Sequence, residues 1–290
     1  MFRFIVLALI LTCSTLNADE PTLVGAVSLD RSEQYLFPSK AVGDSFRIDV
    51  VLPILYSESE TRYPVVYVTD SNYLLTSAAA TQLAQATEHL PAVILVGIGY
   101  DVPSIADTSQ IRVRDFSPTC DEAYIKRSSL PDHLCGGADS FIEFIEEELK
   151  PFINGKYRTK DDATLVGFSF GGLFALHALF ERNDVFDRYI IGSPSIEWDE
   201  EVLFREEAEY AKHNDDLDKV VYLSVGGLEG YGTIPRVYEM YELLLSRKYP
   251  GLRVKVELLE DETHMTAINA TVMRGLRSVL YSDPKYSSAK

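Results

Sequence analysis

Apolar positions along this chain gather in short, dense runs separated by longer amphipathic stretches. The runs Phe46 to Leu52, Val65 to Val68, Val93 to Ile98, Ala163 to Phe168, Tyr189 to Ile191, Val220 to Val225 and Val254 to Leu259 are rich in valine and isoleucine. Several are almost wholly apolar, the pattern of strands buried on both faces. Helical segments are predicted between them at Leu74 to Glu88, Ser140 to Phe152, Gly172 to Glu181, Glu200 to Lys212, Ile234 to Arg247 and Ala267 to Leu280. In the second, Phe141, Ile142, Phe144, Ile145 and Leu149 fall on one side of a helix, with Glu143, Glu146, Glu147 and Lys150 opposite. Strands alternating with helices predict an α/β fold, with a mostly parallel central sheet flanked by helices on both faces. No helical pattern separates Leu52 from Val65, so the sheet is expected to begin antiparallel, by a hairpin there.

One stretch breaks this rhythm. Tyr100 to Gly137 has no clear period and contains Pro103, Pro118, Pro131 and two cysteines. It is expected to form a long loop or lid at about residues 100–137, and a loop of that length inside a domain is usually functional or disordered.

The first residues have a different character. Met1-Phe2-Arg3 is a basic start, Phe4 to Leu11 is apolar, and small and polar residues lead to Ala18. This order predicts a signal peptide over residues 1–18, cut near Ala18, and a secreted or periplasmic protein. The apolar run is too short for a membrane span. Cys13 raises a lipoprotein alternative, against which Thr12 stands where a smaller residue belongs. Residues 19–290 then suit a single domain.

Charge narrows the partners. With 44 acidic against 27 basic residues the net charge is -17, which disfavours nucleic acid and anionic membranes. A small, uncharged or cationic substrate fits better than a polyanion. Of three cysteines, Cys13 leaves with the leader, and Cys120 and Cys135 are expected to pair as a disulfide in an exported chain. No Cys-x-x-Cys or Cys/His cluster suggests a metal site, and no cofactor is implied. The sequence does not indicate an oligomeric state.

The chemistry centres on Gly167-Phe168-Ser169-Phe170-Gly171. Gly-x-Ser-x-Gly alone is weak, since composition produces it in roughly one chain in ten of this length. Context gives it weight: Thr164-Leu165-Val166 leads in as a strand and Leu173 to Phe180 follows as a helix. A nucleophilic serine sits on such a sharp strand-to-helix turn, where neighbouring glycines remove steric conflict. The helix N-terminus aims backbone N–H groups at the reacting centre, making Phe170 N–H one oxyanion donor.

A serine needs a base and the base an orienting acid, in chain order Ser, acid, His for this architecture. Of five histidines, His264 alone lies after the last strand and before the last helix, where sites in open α/β sheets form. Glu229, in Gly226-Gly227-Leu228-Glu229-Gly230 after the preceding strand, is the candidate acid, with Asp261 and Glu262 as competitors. The second oxyanion donor is expected from the backbone of Ser71 or Asn72, after the strand ending near Val68. Asp70, Trp198 and Phe116 are candidate substrate-binding residues, the two aromatics as walls of an acyl or aromatic pocket.

Taken together, these residues resemble the putative-esterase branch of the α/β hydrolases, which includes enterochelin-type esterases, esterase D and feruloyl esterases. The resemblance rests on Tyr63-Pro64-Val65-Val66-Tyr67-Val68-Thr69-Asp70, Arg112-x-Arg114-Asp115-x-x-Pro118, Gly167 to Gly172, Gly192-Ser193-Pro194-Ser195, and Gly227-x-Glu229 with His264. It implies an α/β-hydrolase fold, a Ser169–His264–Glu229 triad, and Asn72 and Phe170 as oxyanion residues. Ser71 departs from the glycine that many members carry after the aspartate. The implied substrates are small-molecule esters: siderophore trilactones, short acyl esters or acylated sugars. The acidic balance speaks against an anionic siderophore. Acyl transfer to an alcohol or sugar, and a non-catalytic binding role on the same fold, are the alternatives. Asn269-Ala270-Thr271 also matches an N-glycosylation acceptor.

Overall fold

The computed structural model describes residues 29–80, 90–102, 104–131 and 133–281. The expected signal peptide, the end of the first predicted helix and residues 282–290 lie outside them. The described strands are β1 (Ser32–Pro38), β2 (Ser45–Val51), β3 (Tyr63–Val68), β4 (Ile94–Gly99), β5 (Thr159–Phe168), β6 (Arg188–Gly192), β7 (Val220–Gly226) and β8 (Arg253–Leu259). They form one sheet in the order β1-β2-β4-β3-β5-β6-β7-β8. β1–β2 and β2–β4 pair antiparallel, and the remaining neighbours pair parallel.

Alternation along the central strands builds two cores. Tyr63, Val65 and Tyr67 of β3 face one side with Ile94, Val96 and Ile98 of β4. Val66, Val68 and Leu95 face the other. Each side is covered by helices. α1 (Ser71–Ala80) and α9 (Ala267–Tyr281) pack on the second face. On the first lie α4 (Ala138–Glu143), a π-helical turn (Phe144–Leu149), α5 (Lys150–Lys156), α6 (Phe170–Glu181), α7 (Trp198–His213) and α8 (Thr233–Arg247). This explains why the central runs lack polar alternation: both faces are removed from water, which stabilises by about 25 cal/mol per Å² of apolar surface.

Two expectations are corrected. The antiparallel start is the hairpin β1–β2, and β2 lies beside β4, not β3. The segment at residues 100–137 is not one irregular loop. It holds α2 (Ile105–Phe116) and α3 (Glu122–Ser128), with Ser104 and Asp121 accepting N-cap bonds from Asp107 and Tyr124. Cys120 and Cys135 are joined by a disulfide, with Cα atoms 5.1 Å apart. Among the described residues no helix is long and apolar enough to cross a membrane.

The parallel register places the ends of five strands along one edge. Val68 is level with Val166, Phe168 with Gly192, Gly192 with Ser224, and Gly226 with Leu259. Asp70, Ser169, Ser193, Glu229 and His264 all follow these ends.

Candidate active site

Ser169 sits where β5 turns into α6, at φ 59° and ψ −118°. A non-glycine residue adopts a positive φ rarely, so the surroundings must hold it there. Ser169 N–H donates to Gly192 O at 2.9 Å, and its carbonyl accepts from Leu173 N–H at 2.9 Å. The turn closes so tightly that a Cβ on Gly167 would lie 1.9 Å from the Gly171 carbonyl oxygen. A Cβ on Gly172 would lie 2.9 Å from Pro194 Cα. These two glycines allow strand, helix and the β6–α7 loop to meet.

Glu229 and His264 come from the neighbouring β7–α8 and β8–α9 loops. Leu228 N–H donates to Glu262 O at 3.0 Å and ties the loops together. His264 Nδ1 lies 2.7 Å from Glu229 Oε2. Glu229 Oε1 accepts from Gly226 N–H at 2.8 Å and from the Ser193 hydroxyl. Burial pushes the Glu229 carboxyl up, but the bonds from His264, Ser193 and Gly226 outweigh it and hold the group below the usual carboxylate range. The His264 ring packs on Phe168, centroids 4.9 Å apart. Neither Asp261 nor Glu262 has a side-chain bond of this kind to His264 among those described.

A cavity of about 200 Å³ has Ser169 and His264 in its wall, with Asp70, Arg112, Phe168 and Met265. Two other cavities, between β7, β8 and α8 and beside the disulfide, have no histidine in their walls.

Phe170 and Ser71 begin α6 and α1, so their N–H groups, and that of Asn72, have no intrahelical acceptor. The side chains of Ser71 and Asn72 are committed elsewhere. Ser71 Oγ donates to Asp49 Oδ2 at 2.8 Å. Asn72 Nδ2 donates to Tyr100 O at 3.1 Å and Asn72 Oδ1 accepts from Tyr100 N–H at 2.9 Å. None of the three is in the cavity wall, but each adjoins a residue that is: Ser71 follows Asp70, Asn72 precedes Tyr73 and Phe170 follows Ser169.

Two of the three candidate substrate-binding side chains, Phe116 and Trp198, are placed differently from the expectation. Phe116 is fully buried against Phe141 and Phe174 and is core. Trp198 is 3% exposed, lies behind Phe170 with centroids 5.2 Å apart, and donates Nε1–H to Thr119 O at 3.1 Å. Neither reaches the cavity, because both aromatics fill space between helices. Asp70 is in the cavity wall, yet both carboxylate oxygens are taken by Arg112: Nε donates to Oδ1 at 2.8 Å and Nη2 to Oδ2 at 2.7 Å. Arg112 and Ser193 received no role from the sequence reading, although both stand in motifs that it singled out.

The model of the Putative esterase family matches residues 39–237. The chain belongs to that family. It is 34% identical to the ferri-bacillibactin esterase BesA of Bacillus subtilis, over 78% of this chain and 82% of that one. It is 32% identical to the siderophore enterobactin esterase of Emericella nidulans, over 80% of this chain and 88% of that one. The crystal structure of the BES protein from Bacillus cereus superposes with a TM-score of 0.80 at 30% identity, covering 90% of this chain and all of that one. This esterase is a serine hydrolase on the α/β-hydrolase fold, as the sequence resemblance implied.

Proposed function

We propose that this esterase hydrolyses an ester bond of a siderophore through an acyl-enzyme on Ser169, with His264 as general base and Glu229 as its orienting acid. The observation that carries the reading is the 2.7 Å contact between Glu229 and His264, whose ring shares a cavity wall with Ser169. With Nδ1–H directed at the carboxylate, Nε2 is free to take the serine proton. Oγ attacks the ester carbonyl, and the developing oxyanion accepts from Phe170 N–H and from the first-turn N–H of Ser71 or Asn72. Each such donor is worth roughly 3–4 kcal/mol in the transition state. His264 passes the proton to the departing alcohol, and water then releases the acid by the same steps.

The siderophore class is taken from the two curated relatives, whose names specify ferri-bacillibactin and enterobactin. Net charge argued the other way. It sets a long-range field and on-rate, however, and not the contacts in a cleft. Export to the periplasm or medium is part of the proposal: the leader pattern of residues 1–18 and the Cys120–Cys135 disulfide support it.

Fluorophosphonate labelling with intact mass tests the nucleophile: a single adduct is expected, absent from Ser169→Ala. No adduct, or one surviving Ser169→Ala, removes the mechanism. Turnover of a catecholate trilactone, followed by chromatography, tests the substrate. Enzyme that takes the label at Ser169 and, in its unlabelled form, cleaves p-nitrophenyl esters but no siderophore removes the substrate class alone.

A further inference from the structure

The Arg112 guanidinium bridges two chain segments that the proposed mechanism requires at a fixed distance. Its fork holds Asp70, and the same Nη2 donates to Phe168 O at 3.3 Å. Its plane lies between two rings, 5.4 Å from the centroids of Phe116 and of Phe170. On one side, Asp70 directly precedes Ser71 and Asn72. It has φ 53°, and its carbonyl accepts from Tyr73 N–H at 2.8 Å and Leu74 N–H at 3.0 Å, so it sets where α1 begins. On the other side, Phe168 and Phe170 flank Ser169.

The two segments touch without a gap. A Cβ on Gly171 would meet Thr69 Oγ1 at 2.6 Å and Asp70 Oδ2 at 3.3 Å. Asp70 is 1% exposed. The Nε–Nη2 edge of the guanidinium, the one suited to a two-point grip on a carboxylate, is filled by Asp70, and Nη2 is shared with Phe168 O. Burial opposes the charge on Arg112, but Asp70 holds the guanidinium protonated above its usual value.

We infer that Arg112 is a positioning residue: through Asp70 and Phe168 it fixes the spacing between the two oxyanion donors, and it does not touch substrate. The inference rests on the catalytic reading above. A lysine could replace the charge but not the two parallel bonds.

The test compares wild type with Arg112→Gln, Arg112→Lys and Asp70→Asn on p-nitrophenyl acetate, a neutral ester, and on an anionic catecholate ester. For the two Arg112→Gln and Asp70→Asn variants kcat is expected to fall on the order of 100-fold on both substrates, the size of effect that misplacing a donor produces. KM should stay within about threefold, since ground-state binding is untouched. Arg112→Lys should recover part of kcat. The double variant should lose little more than either single one, because both break one link. Unchanged kcat on the neutral ester, or a loss confined to KM for the anionic one, overturns the inference and assigns Arg112 to substrate binding. Circular dichroism identifies the folded variants, and Asp70→Asn, nearly isosteric, carries the test if Arg112→Gln does not fold. A wild type that is not labelled at Ser169 overturns the catalytic reading itself, so the two failures are separable.

Discussion

Glu229 Oε2 stands 2.7 Å from His264 Nδ1, with the carboxylate side chain 3% exposed and the imidazole 42% exposed. The carboxylate is fixed and dry, while the imidazole borders the cavity. Glu229→Gln keeps the shape but can donate to Nδ1, which turns the wrong tautomer toward Ser169. A fall in kcat of roughly 10³–10⁴-fold with little change in KM is expected from steady-state kinetics. Because the folded carboxyl is held below its usual range, its contribution to stability is present at neutral pH. It is lost only as pH falls through the depressed value.

His177, on α6, is buried between Glu206 of α7, 3.0 Å from Nδ1, and Asp139 of α4, 3.1 Å from Nε2. Burial lowers its pKa, but the two carboxylates outweigh that and raise it to about 9; Glu181 also lies near. A raised folded value stabilises fully below the unfolded value near 6.5 and loses that contribution as pH rises through about 9. His177→Gln should therefore cost about 2 kcal/mol in urea unfolding at pH 6, the open position of Asp139 screening part of the pair. The deficit should shrink steadily toward pH 9.5. A deficit independent of pH would show that His177 acts by packing alone.

Gly167→Ala places a methyl 1.9 Å from a backbone oxygen that has no flexible end to move. Destabilisation of about 3 kcal/mol or more is expected by denaturant titration, along with loss of fluorophosphonate labelling as the elbow opens. Gly155→Ala, inside α5 with nothing within 4 Å of the added Cβ, is the control; it should keep labelling and stabilise slightly, by about 0.5–1 kcal/mol.

The Cys120–Cys135 disulfide closes a separation of 15 residues beside Thr119, which holds Trp198, which in turn packs on Phe170. Replacing both cysteines by serine should lower stability by roughly 3 kcal/mol on the loop-entropy estimate. Thiol titration of the unfolded, unreduced protein should find neither thiol free.

Much of this was readable in advance where the signal was local. β3, β4 and most of β7 announce themselves because their residues are buried on both faces, so little that is polar interrupts them, whereas β2, with Arg47 and Asp49, and β8, with Arg253, Lys255 and Glu257, show as alternation. β1 does not: Ser32–Pro38 is an edge strand with largely exposed positions, and its composition is that of a surface. α2 was missed because Ile105–Phe116 is polar along most of its length, and α3 because Glu122–Ser128 is short and polar. The prolines that seemed to forbid helix lie outside them, at 103, 118 and 131, as punctuation. The β2–β4 pairing was illegible because which strands pair across a crossover is a non-local choice. At the site, Ser169, Glu229 and His264 are tied to strand ends, which a sequence displays. Phe116 and Trp198 show the opposite case. An aromatic ring has the same composition in a cleft as in a core, and the neighbours that decide between them are distant in the chain.

β5, which leads to Ser169, lies inside the sheet, whereas β8, which leads to His264, is its last strand and is largely exposed. Around His264 the loops present Leu228, Tyr231 and Met265 to solvent, at 62%, 100% and 67% exposure. The molecule is thus divided into a part that must be conserved in shape and a part that can be rebuilt. A single added methyl disturbs the elbow, but the outer wall can change side chains or lengthen a turn without entering either core. Adaptation to a new acyl or alcohol group has its least costly route through that wall, leaving Ser169 where it is.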